Sequence, residues 1–411
     1  MNTSFVRILI ALVLGGCGSR VAVDGAAETD AGRECVGAPD RDASASSPAP
    51  TATPQPTATQ PPPACTLDPG FPAGTSVVAC GFPPHVTLIG GDDAALYVLT
   101  ESGMFYRVDK TSGTKTLLYT APNDGPSGPV VFALGQGNDA ALAGGVLLAF
   151  TLGRGVWSLD TSAPSMPVKV LGDVFENPPL VDSTSMYFLR AEMAPGSVQY
   201  VDVERVPIGG GKATVLDPTY DTPVALGGGF VYVATEIDGS YVDPPYPHLR
   251  RVPIAGGPVT TVLETLDTSG SAGSIAADAE AVYVIGYGSA SGTQAVPVTR
   301  FPADGGAPTT LTVAGAIDPE VPGPVPWGLR LDDAFVYYVA SPQLGAVFGT
   351  GSAIYRIPNA APMSTPQLVA QGTSIGPPLF DAEFVYLALQ RGGTDGPIEG
   401  AVLRVPKGAP K

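Results

Sequence analysis

The chain has 411 residues, with 38 acidic side chains against 21 basic ones and a formal net charge of −17. No Lys/Arg cluster occurs along it, so binding to the phosphate backbone of nucleic acids is disfavoured electrostatically. Two histidines, His85 and His248, limit imidazole-based metal centres and histidine-based catalysis. Glycine (52) and proline (44) are abundant, and the short Val/Thr-rich segments that they separate predict an all-β protein.

The N-terminus has the features of an export signal. Arg7 precedes a short apolar run at residues 8–14, which is too short to cross a membrane as a mature helix. The residues Leu14-Gly15-Gly16-Cys17 then resemble the lipobox of bacterial lipoproteins. The resemblance implies cleavage after residue 16, acylation of Cys17 and, since no Asp follows, sorting to the outer membrane. An ordinary secretory signal with a coincidental cysteine is the alternative.

Residues 17–64 are predicted to be a disordered tether. They include the Pro/Thr/Ala-rich run ASASSPAPTATPQPTATQPPPA, which has no apolar period. Three further cysteines follow Cys17, namely Cys35, Cys65 and Cys80. Export permits disulfides, and the favoured pair is Cys65 with Cys80, because both lie at the start of the folded part. The other pairings remain open.

From residue 65 to the C-terminus one pattern recurs at a spacing of about 40–55 residues, the size of a propeller blade. Each unit has an apolar strand centred on a tyrosine, followed by Arg-Val-Pro or a variant. The strand centres are Tyr97, Leu148, Tyr187, Tyr232, Tyr283, Tyr337 and Tyr386. The second landmark begins at Arg107, Ser158, Arg205, Arg251, Arg300, Arg356 and Arg404. Seven units of this kind predict a repeat protein.

Each unit accommodates four strands, which we call a, b, c and d, with the tyrosine on b and the arginine on c. The last unit ends without its strand d, and residues 75–80 form an unassigned β segment before the first unit. We therefore expect a β-propeller of seven four-stranded blades, in which residues 75–80 complete the last blade. The chain resembles bacterial β-propeller lipoproteins with TolB-type repeats, a resemblance that spans residues 65–411 and implies fold rather than activity. Most TolB-type propellers have six blades, so the seven blades expected for this chain differ from the usual number in that family.

Two recurrent polar residues are interpreted as scaffold. An Asp lies five positions before the tyrosine in five units, and it can accept backbone N–H groups in the a–b turn; these residues are Asp92, Asp182, Asp278, Asp332 and Asp381. The arginine is expected to pack its stem and to pair with an acid or a carbonyl. The alternatives are a metal-binding or catalytic role for the aspartates and an anion-binding ring formed by the arginines.

A binding site is expected on the face that carries the b–c loops and the links between blades. Five consecutive units have long b–c loops, at residues 190–201, 235–248, 286–298, 341–353 and 390–401, and insertions on one face of a repeat protein often mark its binding face. The candidate residues are Tyr220, Asp221, Glu236, Asp238, Tyr241, Asp243, Tyr246, Tyr287, Trp327, Phe348, Asp395 and Glu399. Tolerated insertion is the alternative.

Catalytic motifs are scarce. Ser374 lies in a Gly-x-Ser-x-Gly match, but a nucleophile elbow needs a strand before it and a helix after it, and this match falls in a Gly-rich link. We assign no catalytic residue, metal site or cofactor. The sequence favours a monomeric, lipid-anchored binding or scaffold module in the cell envelope, with a protein, peptide or glycan partner and no nucleic acid. The alternative is a propeller-fold hydrolase or lactonase-like enzyme.

Overall fold

The described residues of the computed structural model form 28 strands. The described residues are 71–84, 86–100, 102–120, 140–143, 146–151, 155–162, 168–171, 179–194, 197–219, 221–235, 248–264, 274–285, 296–314, 325–341, 352–372, 376, 378–391 and 399–408. Within these residues no helix is long and apolar enough to cross a membrane. The prediction of an all-β protein is confirmed.

The described strands assemble into seven sheets of four antiparallel strands each. The a strands are β2 (Val86–Gly91), β6 (Ala140–Ala143), β10 (Leu180–Val181), β14 (Asp221–Gly227), β18 (Ser274–Ala277), β22 (Val325–Leu331) and β26 (Leu379–Phe380). The b strands are β3 (Ala95–Thr100), β7 (Val146–Thr151), β11 (Ser185–Ala194), β15 (Phe230–Thr235), β19 (Ala281–Ile285), β23 (Phe335–Ser341) and β27 (Phe384–Arg391).

The outer half of each sheet is built from strands c and d. The c strands are β4 (Met104–Asp109), β8 (Gly155–Asp160), β12 (Ser197–Pro207), β16 (Leu249–Pro253), β20 (Val296–Pro302), β24 (Ser352–Pro358) and β28 (Glu399–Pro406). The d strands are β5 (Lys115–Thr120), β9 (Val168–Leu171), β13 (Thr214–Asp217), β17 (Thr260–Leu263), β21 (Thr309–Ala314), β25 (Gln367–Gly372) and β1 (Ser76–Phe82). We number the sheets I to VII in chain order of their a strands, so that sheet I begins with β2 and sheet VII with β26.

The sheets pack face to face in a closed ring. A separate apolar cluster joins each sheet to the next, and a further cluster joins sheet VII to sheet I through Tyr386, Val402 and Val98. Six other clusters show the same arrangement. They join sheet I to II, II to III, III to IV, IV to V, V to VI, and VI to VII. Seven four-stranded meanders closed in this way make a β-propeller.

The b strands carry the centre of this core. The strands β3 and β19 are buried along their whole length, because a blade packs against a neighbour on both of its faces. A strand that is buried on both sides reads as a continuous apolar run rather than as an alternating one. The d strands alternate more, and β5 exposes Thr116 and Leu117. The apolar-aromatic segments of the sequence are therefore the b strands.

Closure of the ring depends on the N-terminal strand. The strand β1 pairs with β28 in the d position of sheet VII, with Ser76 opposite Arg404 and Phe82 opposite Gly400. The guanidinium of Arg404 donates to Ser76 Oγ at 2.8 Å. The ammonium group of Lys115, in sheet I, donates to the carbonyl of Cys80 at 2.7 Å. The predicted role of residues 75–80 is confirmed, although the strand runs two residues further.

Cys80 is buried in the cluster between sheets VI and VII and is disulfide-bonded. The other three cysteines lie outside the described residues, so the pairing of Cys80 with Cys65 stays a prediction.

Candidate functional site

The two faces of the propeller differ in what their polar residues do. The meander places the a–b and c–d turns of every sheet on one face, which we call the turn face. The b–c connections and the links between sheets lie on the other, which we call the loop face.

Each recurrent aspartate on the turn face is held within its own blade. Its Oδ1 accepts the backbone N–H groups two and three residues on, at 2.7–3.0 Å in all five turns. Its Oδ2 accepts the hydroxyl of the b-strand tyrosine five residues on, at 2.6–3.0 Å. The scaffold interpretation is confirmed, and the tyrosine partner extends it.

These bonds favour the charged carboxylates. Partial burial by itself raises the pKa of Asp381, but the Tyr386 hydroxyl, two backbone N–H groups and Lys110 outweigh it and lower that pKa to about 2. The pKa of Asp332 is lowered by a similar balance, in which Lys407 replaces Lys110. Burial and the paired aspartate in turn raise the pKa of the Tyr386 hydroxyl. Asp381 and Asp332 therefore stay ionised at neutral pH and bond within the protein.

The recurrent arginines connect one blade to the next. Arg205 donates to the carbonyl of Ile254 in sheet IV at 3.1 Å, and Arg404 donates to the carbonyl of Lys110 at 3.4 Å, which links sheet VII to sheet I. Arg251 and Arg356 make the equivalent bonds to the carbonyls of Ala303 and Lys407. The expected arginine–carbonyl pairing is confirmed, and the acceptor belongs to the neighbouring blade.

Aromatic rings and lysines complete this network. The guanidiniums of Arg251, Arg356 and Arg404 lie 4.5–5.1 Å from the ring centroids of the phenylalanines two residues before the tyrosines. Lys110 bonds Asp381 at 3.0 Å, and Lys407 bonds Asp332 at 3.0 Å, each across a blade boundary. The recurrent polar groups of the turn face thus serve internal contacts.

Sheet IV departs from this pattern. Gly227 stands where five of the other turns have the aspartate, and an ideal Cβ there would lie 2.6 Å from the carbonyl oxygen of Asp278 in sheet V. The close approach of the two turns explains the missing side chain. As a consequence the Tyr232 hydroxyl is buried and has no hydrogen-bond partner among the described residues. The five-residue spacing before the tyrosine shows from the sequence that the Asp is missing in this unit. Only the packing of sheet IV against sheet V explains why it is missing.

The loop face carries the more individual features. The hairpin of β11 and β12 stays paired up to Ala194 opposite Ser197, although β13 and β10 are much shorter. Most of the predicted loop at residues 190–201 is therefore a projecting β-hairpin.

Two ion pairs fix the base of the loop face in sheets III and IV. Arg250, at the start of β16, bonds Asp217 at the end of β13 at 2.7 Å and also donates to Thr219. Asp217 is only 3% exposed, so this contact between blades is shielded from solvent. Within sheet III, Arg190 bonds the buried Glu204 at 3.2 Å. These pairs hold the ends of two adjacent b–c connections.

Three predicted binding residues belong to described strands at this face. Asp221 starts β14 opposite Thr235, Trp327 lies in β22 opposite Val339, and Glu399 starts β28 opposite Arg391. The remaining nine lie outside the described residues: Tyr220, Glu236, Asp238, Tyr241, Asp243, Tyr246, Tyr287, Phe348 and Asp395. Ser374 and His85 also lie outside them. In the described part of the chain, no group of three or more His, Cys, Asp or Glu side chains could hold a metal ion.

Comparison with known proteins supports the fold. No protein-family model and no curated protein matches the sequence. Among solved structures, the chain is similar to an oligogalacturonate lyase from Vibrio parahaemolyticus, with a TM-score of 0.52, 10% identity, and coverage of 83% of this chain and 97% of that chain. It is also similar to the β-propeller domain of the Trilobed protease from Pyrococcus furiosus, with a TM-score of 0.45, 10% identity, and coverage of 68% and 79%. BamB from Moraxella catarrhalis is similar with a TM-score of 0.37 and 13% identity, and the match covers 77% of this chain and 83% of that chain.

At 10% identity, the likeness to the oligogalacturonate lyase shows the fold alone and does not transfer activity.

Proposed function

We propose that this protein is a lipid-anchored propeller of the cell envelope that binds a protein, peptide or glycan partner through its loop face. One observation carries the proposal: the recurrent polar residues of the turn face are used in bonds within and between blades. Function on a repeat scaffold resides in the residues that depart from the repeat. Here those residues are the b–c connections.

The composition of these connections suits such a partner. They combine aromatic residues, such as Tyr241, Tyr246 and Phe348, with acids such as Asp243 and Asp395. Aromatic side chains provide large contact areas at low entropic cost, and acids give a polar rim. The ion pair of Arg250 with Asp217 supports the proposal, because it holds one end of the loop at residues 235–248 in place.

The anchor and its location are part of the proposal. The signal features and the lipobox at Cys17 support acylation, and the Pro-rich segment at residues 43–64 supports a tether that holds the propeller away from the membrane. Substitution of Cys17 by serine should abolish incorporation of radiolabelled palmitate and release the protein from the outer-membrane fraction. Unchanged labelling would reject the anchor.

The binding role is tested by replacing residues 241–246 with a two-residue Asn-Gly turn. We expect affinity capture from solubilised cell envelopes, followed by mass spectrometry, to lose a partner that the unmodified chain retains. The matched control is Glu280→Gln on the turn face, where the side chain is 83% exposed; capture should be unchanged. A loop variant that captures the same proteins and glycans in the same amounts would favour tolerated insertion.

A further inference from the structure

The projecting hairpin of β11 and β12 has an open edge along β11. In sheets I, IV, V and VI the a strand pairs with the b strand as far as the last residue of the b strand. In sheet III the a strand β10 pairs only with Met186 and Tyr187, whereas β11 continues to Ala194. No other described strand pairs with residues 188–194 on this side. The loop-face half of β11 is therefore an edge strand, and such an edge can pair with another chain.

Proline explains why the a strand of sheet III stops. Leu180 is opposite Tyr187, so a longer a strand would bring residue 178 opposite Leu189. Residues 178 and 179 are both prolines, and proline has no N–H group to donate to a ladder. The open edge thus follows from the sequence that precedes β10.

The outward-facing main-chain groups of β11 belong to its odd-numbered residues. The carbonyl of Ser185 accepts a hydrogen bond from the turn that follows β10 at 3.0 Å, and the carbonyl of Thr184 accepts one from the residue after β12 at 2.9 Å. Main-chain groups alternate in direction along a strand, and the bulge of this hairpin adds its extra residue to β12. The outward groups without a described strand beside them are therefore those of Leu189, Ala191 and Met193.

We propose that this edge pairs with the same edge of a second copy of the chain, antiparallel and two-fold symmetric about Ala191. In this register Ala191 exchanges both main-chain bonds with its counterpart. Leu189 exchanges its bonds with Met193 of the second copy, and Met193 does so with Leu189 of the second copy. The two hairpins then form one continuous sheet across both copies. This dimer differs from the monomer that the sequence favours.

The main chain excludes two neighbouring axes. A two-fold axis at Leu189 would need the outward groups of Tyr187, which already face β10. An axis at Met193 would pair Ala191 with Pro195, which has no N–H group. Either axis would leave fewer bonds than the axis at Ala191.

Charge excludes the two axes that remain within residues 189–193. An axis at Arg190 would bring two arginines directly opposite each other, and an axis at Glu192 would do the same with two glutamates. Like charges in such positions destabilise a sheet. The axis at Ala191 instead places Arg190 opposite Glu192 of the second copy. Arg190 keeps its bond to Glu204, because main-chain groups carry the contact and the side chains only have to avoid like charges.

The first test is oxidative crosslinking of the purified full chain with copper phenanthroline. In the proposed dimer the two Cα atoms of residue 191 lie about 5.5 Å apart, a distance that a disulfide spans. Ala191→Cys should therefore give a disulfide-linked dimer. The matched control is Ala194→Cys on the same strand, whose two copies would lie about 20 Å apart. The unmodified chain, which has four cysteines, gives the background.

The second test is sedimentation velocity, which needs no added cysteine. Ala191→Pro removes an outward N–H that no described strand uses, and it should weaken dimerisation by about tenfold or more. Ala191→Thr keeps that N–H and should dimerise as the unmodified chain does.

The two tests have outcomes that overturn the proposal. It is overturned if the unmodified chain stays monomeric up to about 200 µM, or if Ala191→Cys gives no more dimer than Ala194→Cys. It is equally overturned if folded Ala191→Pro dimerises as tightly as the unmodified chain. Where Ala191→Pro does not fold, the comparison of the two cysteine variants decides. The dimer stands independently of the partner proposed for the loop face.

Discussion

The aspartate–tyrosine pair is the smallest unit that stabilises a blade. The sequence indicated that the aspartate accepts turn N–H groups, because Asp is common in such turns. The constant spacing of five residues between the aspartate and the tyrosine was also visible in the sequence. That spacing was the signal for the hydrogen bond from the tyrosine hydroxyl to the carboxylate, which was not predicted. The sequence predicts a carbonyl as one possible partner of the arginine, but it does not show which carbonyl, because Arg205 and Ile254 belong to different repeats.

Removal of the tyrosine hydroxyl should have opposite consequences in sheets VI and IV. Tyr337→Phe leaves Asp332 without one of its donors and should lower the free energy of unfolding by about 1–3 kcal/mol. Tyr232→Phe removes a buried hydroxyl that has no hydrogen-bond partner in the described part of the chain, and it should be neutral or stabilising. Urea denaturation of the two variants measures this difference. Equal losses would show that the Asp–Tyr bond has no special role.

Acid should weaken the turn face. The folded pKa of Asp381, about 2, lies below its ordinary value of 3.8. Its stabilising contribution is therefore complete above about pH 4 and is lost as the pH falls toward 2. Urea midpoints measured between about pH 6 and pH 2.5 should decline mainly below pH 4. Asp381→Asn should be less stable at neutral pH and less sensitive to acid, whereas an unchanged acid slope would contradict the assignment.

At the scale of elements, the repeat in the sequence predicted where the strands lie. It did not predict the length of every hairpin. The apolar run at residues 230–235 and the Arg-Val-Pro at 251–253 identify strands b and c of sheet IV, which are β15 and β16. The missing strand d of the last unit predicted that β1 would close the ring. The projecting hairpin of β11 and β12 was not predicted, because its length depends on pairing across the turn rather than on a residue pattern.

A glycine in sheet I should prove important for the seating of β1. Gly113 has a φ of 69°, and an ideal Cβ there would lie 2.1 Å from the carbonyl oxygen of Val78. Gly113→Ala should therefore both strain the turn and displace β1. The matched control is Gly256→Ala, where φ is 84° and nothing lies within 4 Å of the added carbon, so that only strain of about 1–2 kcal/mol is expected.

Hydrogen exchange separates the two effects of these substitutions. The amides of β1 should exchange faster in Gly113→Ala than in Gly256→Ala, and the free energy of unfolding should fall further. Identical β1 protection in the two variants would show that the contact of Gly113 with Val78 does not seat the strand.

At the scale of the whole molecule, the two faces have different tasks. Bonds that repeat from blade to blade hold the turn face, and the contact of Arg404 with Lys110 carries them across the closure from sheet VII to sheet I. The candidate site was predictable only as a face, because loop composition shows which connections are unusual. It does not show which side chains meet, since contacts between loops of different blades depend on their conformation.

The most direct test of this division is site-specific photo-crosslinking in the cell. A photoreactive phenylalanine analogue is placed at Tyr241 or Glu399 on the loop face and, in a separate strain, at Lys212 on the turn face. The proposed partner should give discrete crosslinked adducts from the two loop-face positions and none from Lys212. Adducts that form from Lys212, with none from Tyr241 and Glu399, would contradict the assignment of function to the loop face.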